Sequence, residues 1–361
     1  MPMNGVILVA GEGTRLRPLT YTLPKPLIPI MGKPLVTRII EELIGNGINK
    51  IHVVVGHLGF LFRQVLGDGS GLGVSIKYVE QRERLGIAHA IHRAIEDGGA
   101  VGELIVHLGD NYFGEGLGRF IREFREGGDY DVYVVLTRHR DPTRFGNAVI
   151  KDGRIVKLIE KPRESPPNSF VMTGIYMFRD SHDVERAFST LKPSARGGEY
   201  EITDLIQWFI DNGRRVGYSI TNSWWKDMGG TPQDILDLLY LMLDEVKPRI
   251  EGEVRGGEVN GRVVVERGGA VIEGRVHGPA YIGKGSMVGK DTVIEHYVDI
   301  ESNVSINGGS LSRSLVLSDA SLELGRARLV DSIIGPKSRV RLSGGNYSLI
   351  LGEGNSIISI A

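Results

Sequence analysis

The sequence has no cysteine, which removes disulfides, thiolate nucleophiles and thiolate metal sites from its chemistry at once. It also lacks charge of one sign. With 43 Lys and Arg against 44 Asp and Glu, nothing in the balance points to a nucleic-acid or membrane partner. No basic stretch followed by an apolar one opens the chain, and no apolar run is long enough to cross a bilayer, so a soluble cytoplasmic protein is expected. What the chain has in excess is glycine, 50 of 361 residues, and its placement matters more than its total. The length allows two domains with a sizeable core.

Through the first half, strand-like apolar runs alternate with amphipathic helical ones. The strand candidates are 6–9, 51–55, 75–79, 104–108 and 132–137, with helical patterns at 35–45, 60–66, 87–95 and 117–126 between them. Such alternation predicts an α/β domain, a mostly parallel mixed sheet covered by helices, with ligands bound at the carboxyl ends of the strands. A hairpin at 147–151 and 154–159 turns at Asp152-Gly153. A strand at 171–178, helices at 182–191 and 202–212, a strand at 216–220 and a helix at 235–246 follow.

Beyond about Glu251 the helical signal gives way to a repeat. Val264, Ala270, Val276, Ile282, Val288, Ile294, Ile300 and Ile306 recur every sixth residue, and a small or β-branched residue precedes most of them by two positions. A hexad of this kind predicts a parallel β-helix with three faces. The phase slips at 307–312, where Gly308-Gly309 suggests a bulge.

The stretch with the most chemistry is Ala10–Pro29. Gly11 and Gly13 allow backbone N–H groups to approach a ligand oxygen, and Thr14, Arg15, Arg17 and Lys25 add donors and charge, as a phosphate cradle requires. It is not a P-loop, since Thr-Arg rather than Lys-Ser or Lys-Thr follows the glycines. Nor is it a dinucleotide fingerprint, because Pro18, Pro24, Pro26 and Pro29 are expected to keep the segment extended. Asp110 ends a buried strand and Asp227 lies beside Gly229-Gly230. Two carboxylates with one phosphate cradle suit Mg²⁺, which binds through few carboxylates, substrate phosphate and water.

Together, Gly11–Pro18 with Lys25–Pro29, Gly109-Asp110-Asn111, Glu160-Lys161-Pro162, Thr173–Tyr176, Gly198–Asp204 and Lys226-Asp227 resemble the sugar-1-phosphate nucleotidylyltransferases. Within that family the pattern is most similar to the glucose-1-phosphate thymidylyltransferases of the longer form, with a left-handed β-helix behind a Rossmann-like nucleotidyltransferase domain. The resemblance implies a catalytic domain over 1–235, a helical linker over 236–262 and the β-helix over 263–361. It implies Mg²⁺-dependent attack of a sugar 1-phosphate on dTTP, or UTP, with Arg15, Lys25, Asp110 and Asp227 in the catalytic apparatus and the two aspartates on the metal. Gly11, Gly13, Thr14, Gln81 and Gly86 would take the nucleotide, Gln81 pairing with the N3–H and carbonyl edge of the base. Gly146, Glu160, Lys161, Thr173 and Gly174 would take the sugar phosphate, with Glu199 a further candidate.

A uridylyltransferase acting on glucose or N-acetylglucosamine 1-phosphate is the alternative, with an acyltransferase in the β-helix as a further option. Its candidate residues are His277 and His296, which lie in no recognisable motif, so a β-helix serving assembly of a homo-oligomer is preferred. Trp224 and Trp225 read as core aromatics, and His89 with His92 as structural rather than metal ligands.

Overall fold

The computed structural model describes residues 2–195 and 197–358. The last three positions of the expected β-helix, 359–361, lie outside them. The chain divides into two compact units, one formed by Met1–Glu12 and Val36–Trp225, the other by Gly13–Leu35 and Lys226–Ala361. The 13–35 segment thus groups with the C-terminal half, which no sequence pattern indicated.

In the first unit, the described residues form a nine-stranded sheet. Strand Asn4–Val9 is central, parallel to Lys50–Val55 on one side and to Leu104–Leu108 on the other. Ser75–Glu80 extends the parallel set beyond Lys50–Val55. On the far side of Leu104–Leu108 the direction reverses with Ser169–Phe178, which also pairs antiparallel with Val132–Thr137 and Gly146–Lys151. The Gly146–Lys151 strand turns back through Asp152 and Gly153, both at positive φ, into Arg154–Glu160. Two consecutive left-handed residues are what a tight hairpin with right-twisted strands demands.

Helices α1 (Leu35–Gly45), α2 (Gly59–Leu66), α3 (Ile87–Glu96), α4 (Gly118–Glu126), α5 (Ser181–Phe188) and α6 (Ile202–Asp211) belong to this part of the chain. Their apolar stripes explain why: α3 presents Ala88, Ile91, Ala94 and Ile95 to a core that also holds Val6, Val54, Val79 and Val106. Strands buried on both faces read as continuous Val and Ile runs, which is why the sheet was legible in sequence.

The second unit holds α7 (Pro232–Asp244), whose Thr231 and Asp234 form a capping box around Pro232. The helix therefore starts earlier than the apolar run beginning at Ile235. After it come short parallel strands stacked in the manner of a left-handed β-helix. Ala280 pairs with Val298 and Met287 with Ser305, so a coil returns after eighteen residues, three hexads. The first coil comprises Arg249–Ile250, Glu253–Arg255 and Glu258–Asn260, inside the stretch expected to be a linker. Its largely exposed, Glu- and Arg-rich strands carry no unbroken hexad, because an end coil has a neighbour on one side only.

From Val276 onward the residues at six-residue spacing are buried in the coil core, as expected, but Val264 and Ala270 are not in it. Val265 and Val271 fill those places. Runs of adjacent aliphatics, Val263-Val264-Val265 and Ala270-Val271-Ile272, made a one-residue slip invisible. Gly308 and Gly309 sit at positive φ within strand Ser305–Ser312, where the pairing with Ser321–Val330 shifts register. This is the bulge the two glycines suggested. Buried serines close corners between coils: Ser286 Oγ donates to Glu301 O and accepts Val304 N–H at 2.9 Å.

The 13–35 segment is not extended. Thr14–Leu16, Leu19–Tyr21 and Lys25–Leu27 are successive 3₁₀ turns, and Thr20 Oγ1 donates to Gly13 O at 2.7 Å to close the first against the second. Proline ends an α-helix from within but fits the first positions of a short turn, where no N–H is needed, so four prolines permitted turns rather than forcing extension.

His52, buried in strand Lys50–Val55, has its imidazole pKa lowered to about 4 by burial first and by Lys77 and Lys50 second. His107 is buried and lowered to about 4 by burial as well. Both titrate near 6.5 in an unfolded chain, so the folded protein binds fewer protons between about pH 6.5 and 4. Stability is fully present above that window and falls as pH drops through it. Urea midpoints measured from pH 7.5 to 4.5 will decline, and His52→Leu will flatten the decline; an unchanged slope in the variant would show that His52 is not held neutral.

Candidate functional site

The strands Asn4–Val9, Ser75–Glu80 and Leu104–Leu108 end at one edge of the sheet, and the loops after them line a cavity of about 340 Å³. Gly11, Gln81, Gly86 and Asp110, four residues expected to act together, all face it, with Leu8, Ile87 and Leu108 as apolar walls. Glu199 lines the same cavity.

The two glycines are there for different reasons. Gly86 lies at φ 94°, and a Cβ on it would stand 2.6 Å from Tyr200 O, so the fold itself needs glycine. A Cβ on Gly11 would meet no protein atom within 4 Å. The space beside Gly11 is cavity.

Gln81 is buried and fixed. Its Nε2 donates to Gly86 O at 3.1 Å and lies 3.0 Å from His89 Nδ1. Burial, followed by the charges of His92 and Arg93, lowers the His89 pKa, so the ring stays neutral and its Nδ1 can accept. With both amide hydrogens engaged, Gln81 offers a ligand its carbonyl oxygen and not the donor-acceptor pair expected from sequence. His89 is the residue that sequence reasoning passed over in this role. Its spacing from His92 suggested only a shared helical face, and His92 in turn pairs with Glu185 at 2.7 Å and Glu96 at 3.1 Å. Arg84, which no sequence motif marks, pairs with Glu12 at 3.2 Å, both on the cavity wall. Asp110 Oδ1 accepts Asn111 Nδ2 at 2.7 Å.

A second group forms around Glu160, at the end of strand Arg154–Glu160. A Cβ on Gly146 would meet Thr203 Cγ2 at 3.0 Å, Glu160 Oε2 at 3.1 Å and Met172 Sδ at 3.2 Å. Lys161, in a left-handed conformation at φ 41°, places Nζ 3.1 Å from Glu160 Oε1. Burial, reinforced by Glu160, raises the pKa of Glu201 in the same group. Thr173 turns its hydroxyl inward to Val135 O at 2.9 Å, and its carbonyl accepts Trp225 Nε1 at 2.9 Å, so that side chain is committed to the fold. Gly174, at φ 88°, lies against Leu108, a Cβ there reaching 3.0 Å from Leu108 Cδ1, and so backs the wall of the first cavity. Trp225 meets Phe145 edge to face at 5.2 Å, and Trp224 lies against Tyr112; both are only half-buried, so they pack at the edge of the site and not in the core position expected for them.

The remaining expected residues, Gly13, Thr14, Arg15, Lys25 and Asp227, belong to the second unit. Thr14 and Arg15 are exposed on the first 3₁₀ turn, Gly13 precedes it at φ 63°, and Lys25 is buried at the start of the third. Asp227 Oδ1 accepts Gly229 N–H at 2.7 Å. Its neighbour Lys226 is paired with Asp234 and Asp237, both at 2.8 Å, and anchors α7. Among the described residues no three His, Asp or Glu side chains gather into a metal cage. Asp110 and Asp227 are hard oxygen donors of the type Mg²⁺ takes one or two at a time. His296, exposed on a coil, engages Gly278 O through Nδ1, and His277 follows Val276 on the neighbouring coil.

A nucleotidyl transferase family model matches residues 4–245. The chain is 35% identical over 346 residues to the glucose-1-phosphate thymidylyltransferase of Streptomyces antibioticus, covering 94% of both chains. It is 37% identical over 253 residues to the UTP–glucose-1-phosphate uridylyltransferase AglF of Haloferax volcanii, covering 70% of this chain and 98% of that one. Among solved structures, a protein of Bacillus anthracis assigned as a glucose-1-phosphate thymidylyltransferase superposes with a TM-score of 0.57 at 36% identity, covering 63% of this chain and 90% of its own.

The contrast between the glycines gives a direct test. Gly11→Ala should unfold at the parent temperature yet raise KM for the nucleoside triphosphate about tenfold or more, whereas Gly86→Ala should lose on the order of 1–3 kcal/mol of stability. Thermal melts and initial rates distinguish the two; normal binding in Gly11→Ala would mean the cavity is not where the nucleotide lies.

Proposed function

The chain belongs to the nucleotidyl transferase family, as a sugar-1-phosphate nucleotidyltransferase, and we propose that its reaction is dTTP plus glucose 1-phosphate giving dTDP-glucose and pyrophosphate. The observation that carries this reading is the cavity in which Gln81, its amide hydrogens already engaged, faces the same space as Gly86 and Asp110. A lone acceptor suits the N3–H of thymine or uracil. Adenine and cytosine present a ring nitrogen lone pair at the corresponding position and would leave the oxygen opposed.

In the proposed reaction an oxygen of the sugar phosphate attacks the α-phosphorus in line. The new P–O bond forms as the bond to the bridging oxygen breaks, and pyrophosphate leaves with the electron pair. No protein nucleophile takes part. The work left to the chain is to bring two polyanions together and to stabilise the charge that develops. Arg15 and Lys25 would bind the triphosphate, with backbone N–H groups from Gly11, Gly13 and Thr14, and Lys161 would neutralise the sugar phosphate. Glu160 and the backbone at Gly146, Thr173 and Gly174 would receive the hexose hydroxyls, since the Thr173 hydroxyl is turned inward. Asp110 and Asp227 would hold Mg²⁺, which when bound withdraws charge from the α-phosphate.

UTP is the second reading, supported by the similarity to AglF. Thymine differs from uracil by a methyl group, and an apolar contact discriminates that by about 1–3 kcal/mol, so both triphosphates should be turned over. Pyrophosphate release measured with glucose 1-phosphate, Mg²⁺ and each of dTTP, UTP, GTP and ATP tests this. The expected order is dTTP, then UTP within about 10–200-fold, with Asp110→Asn inactive. A preference for GTP or ATP would overturn the assignment.

A further inference from the structure

We propose that Asp299 and Glu301 of the β-helix are positioning residues for the reaction, holding the turn at Met31-Gly32 and through it the 13–35 strap that carries Arg15 and Lys25. The inference rests on the reading that those two cations bind the triphosphate.

In strand Val298–Ile300 the side chains of Val298 and Ile300 fill the coil core, so Asp299 projects outward from it. An outward position on a coil normally meets water. Asp299 is nonetheless fully buried, and Glu301, just beyond the strand, is 2% exposed. The register stacks Asp299 between Tyr281 on the preceding coil and Leu315 on the next, and both of these are buried too. One outer face of the β-helix is therefore covered, and the strap supplies contacts on it.

Met31 N–H donates to Asp299 Oδ2 at 2.6 Å and Gly32 N–H to Glu301 Oε1 at 2.8 Å. A Cβ on Gly32 would overlap Tyr281 Oη. At the other end of the strap, Gly352 lies so close to Pro18 that a Cβ would stand 2.9 Å from Pro18 O, and Glu353 is hydrogen-bonded to Thr22. Arg15 precedes the first of these anchors, and Lys25 falls between them.

The chemistry at Met31-Gly32 shows which anchor sets the strap. Both residues lie at positive φ, 50° and 75°, and for methionine that conformation is unfavourable on its own. The hairpin around them pairs only Pro29 with Pro34 and Ile30 with Lys33, and prolines donate no N–H, so it is too short to impose the turn. A buried carboxylate is costly unless its lone pairs are met by donors. Two successive turn N–H groups each give a buried carboxylate one donor and, in doing so, hold the turn.

Hydrogen exchange and steady-state kinetics test the proposal on the full chain. In Asp299→Leu/Glu301→Met, which removes both acceptors and leaves the Met31 and Gly32 N–H groups to find water, the melting temperature should fall while the transition stays cooperative. Peptides from 13–35 should exchange at least about tenfold faster while those from 276–306 stay protected, kcat should fall and KM for dTTP rise, each about tenfold, and KM for glucose 1-phosphate should stay within about twofold. Asp299→Asn, which keeps an acceptor oxygen, should retain parent exchange and kinetics. If the double variant does not fold, Glu301→Met alone makes the same comparison with one bond removed. Unchanged exchange in 13–35 overturns the proposal whatever the rates do, and so does a loosened strap with parent kcat/KM while Arg15→Ala and Lys25→Ala are impaired. If Arg15→Ala and Lys25→Ala both match the parent, the reading of the cations fails, and exchange alone decides whether the carboxylates hold the strap.

Discussion

Strand Asn4–Val9 is hydrogen-bonded on both edges to parallel neighbours, and the site in the first unit depends on that constraint. Parallel strands end at the same edge of a sheet, so the chain leaving each of them must turn within a few residues of the others. Backbone bonds make the convergence specific: Gly109 N–H donates to Leu8 O at 2.9 Å and Gln81 N–H to Val55 O at 2.8 Å. Gly56 comes so near Ala10 that a Cβ would stand 2.5 Å from Ala10 O. The loops carrying Gly11, Gln81 and Asp110 are thereby fixed to strand ends, and the cavity between them is a consequence of sheet geometry. Side chains then refine it, as His89 does by engaging Gln81.

The second unit solves a different problem. A β-helix satisfies its backbone by stacking coil on coil, and its core needs only small aliphatics and corner serines. Its outer faces are left over, and one of them is put to use. Carboxylates that would otherwise face water receive the N–H groups of a strained turn more than 260 residues away in sequence. This gives the coils a contact within their own chain, beyond the assembly or acyl transfer that the hexad repeat suggests.

Several features were legible because they repeat or alternate. Strands buried on both faces appear as Val and Ile runs, helices as amphipathic stripes, and coils as hexads, and each pattern follows directly from where side chains must point. The same logic shows why other features were not. Val264 and Ala270 fitted the hexad as well as Val265 and Val271, because periodicity cannot distinguish adjacent aliphatics when several stand in a row. The prolines of the strap were compatible with extension and with 3₁₀ turns alike, and the choice between them falls to contacts such as Thr20 with Gly13. Thr173 stands in one of the family motifs and Gln81 is implied by the resemblance alone, but which of their polar atoms remain for a ligand depends on Val135 and His89.

By itself, the sequence determined the two architectures and the family, since these are written in local period and motif. Tertiary structure alone decided which atoms the site residues have left to offer and that the 13–35 segment groups with the β-helix rather than with the sheet it interrupts. The physical reason is the same in each case. A hydrogen bond such as Met31 to Asp299 joins groups whose separation along the chain leaves no periodic trace, and a buried carboxylate reads like any surface aspartate until its cover is seen.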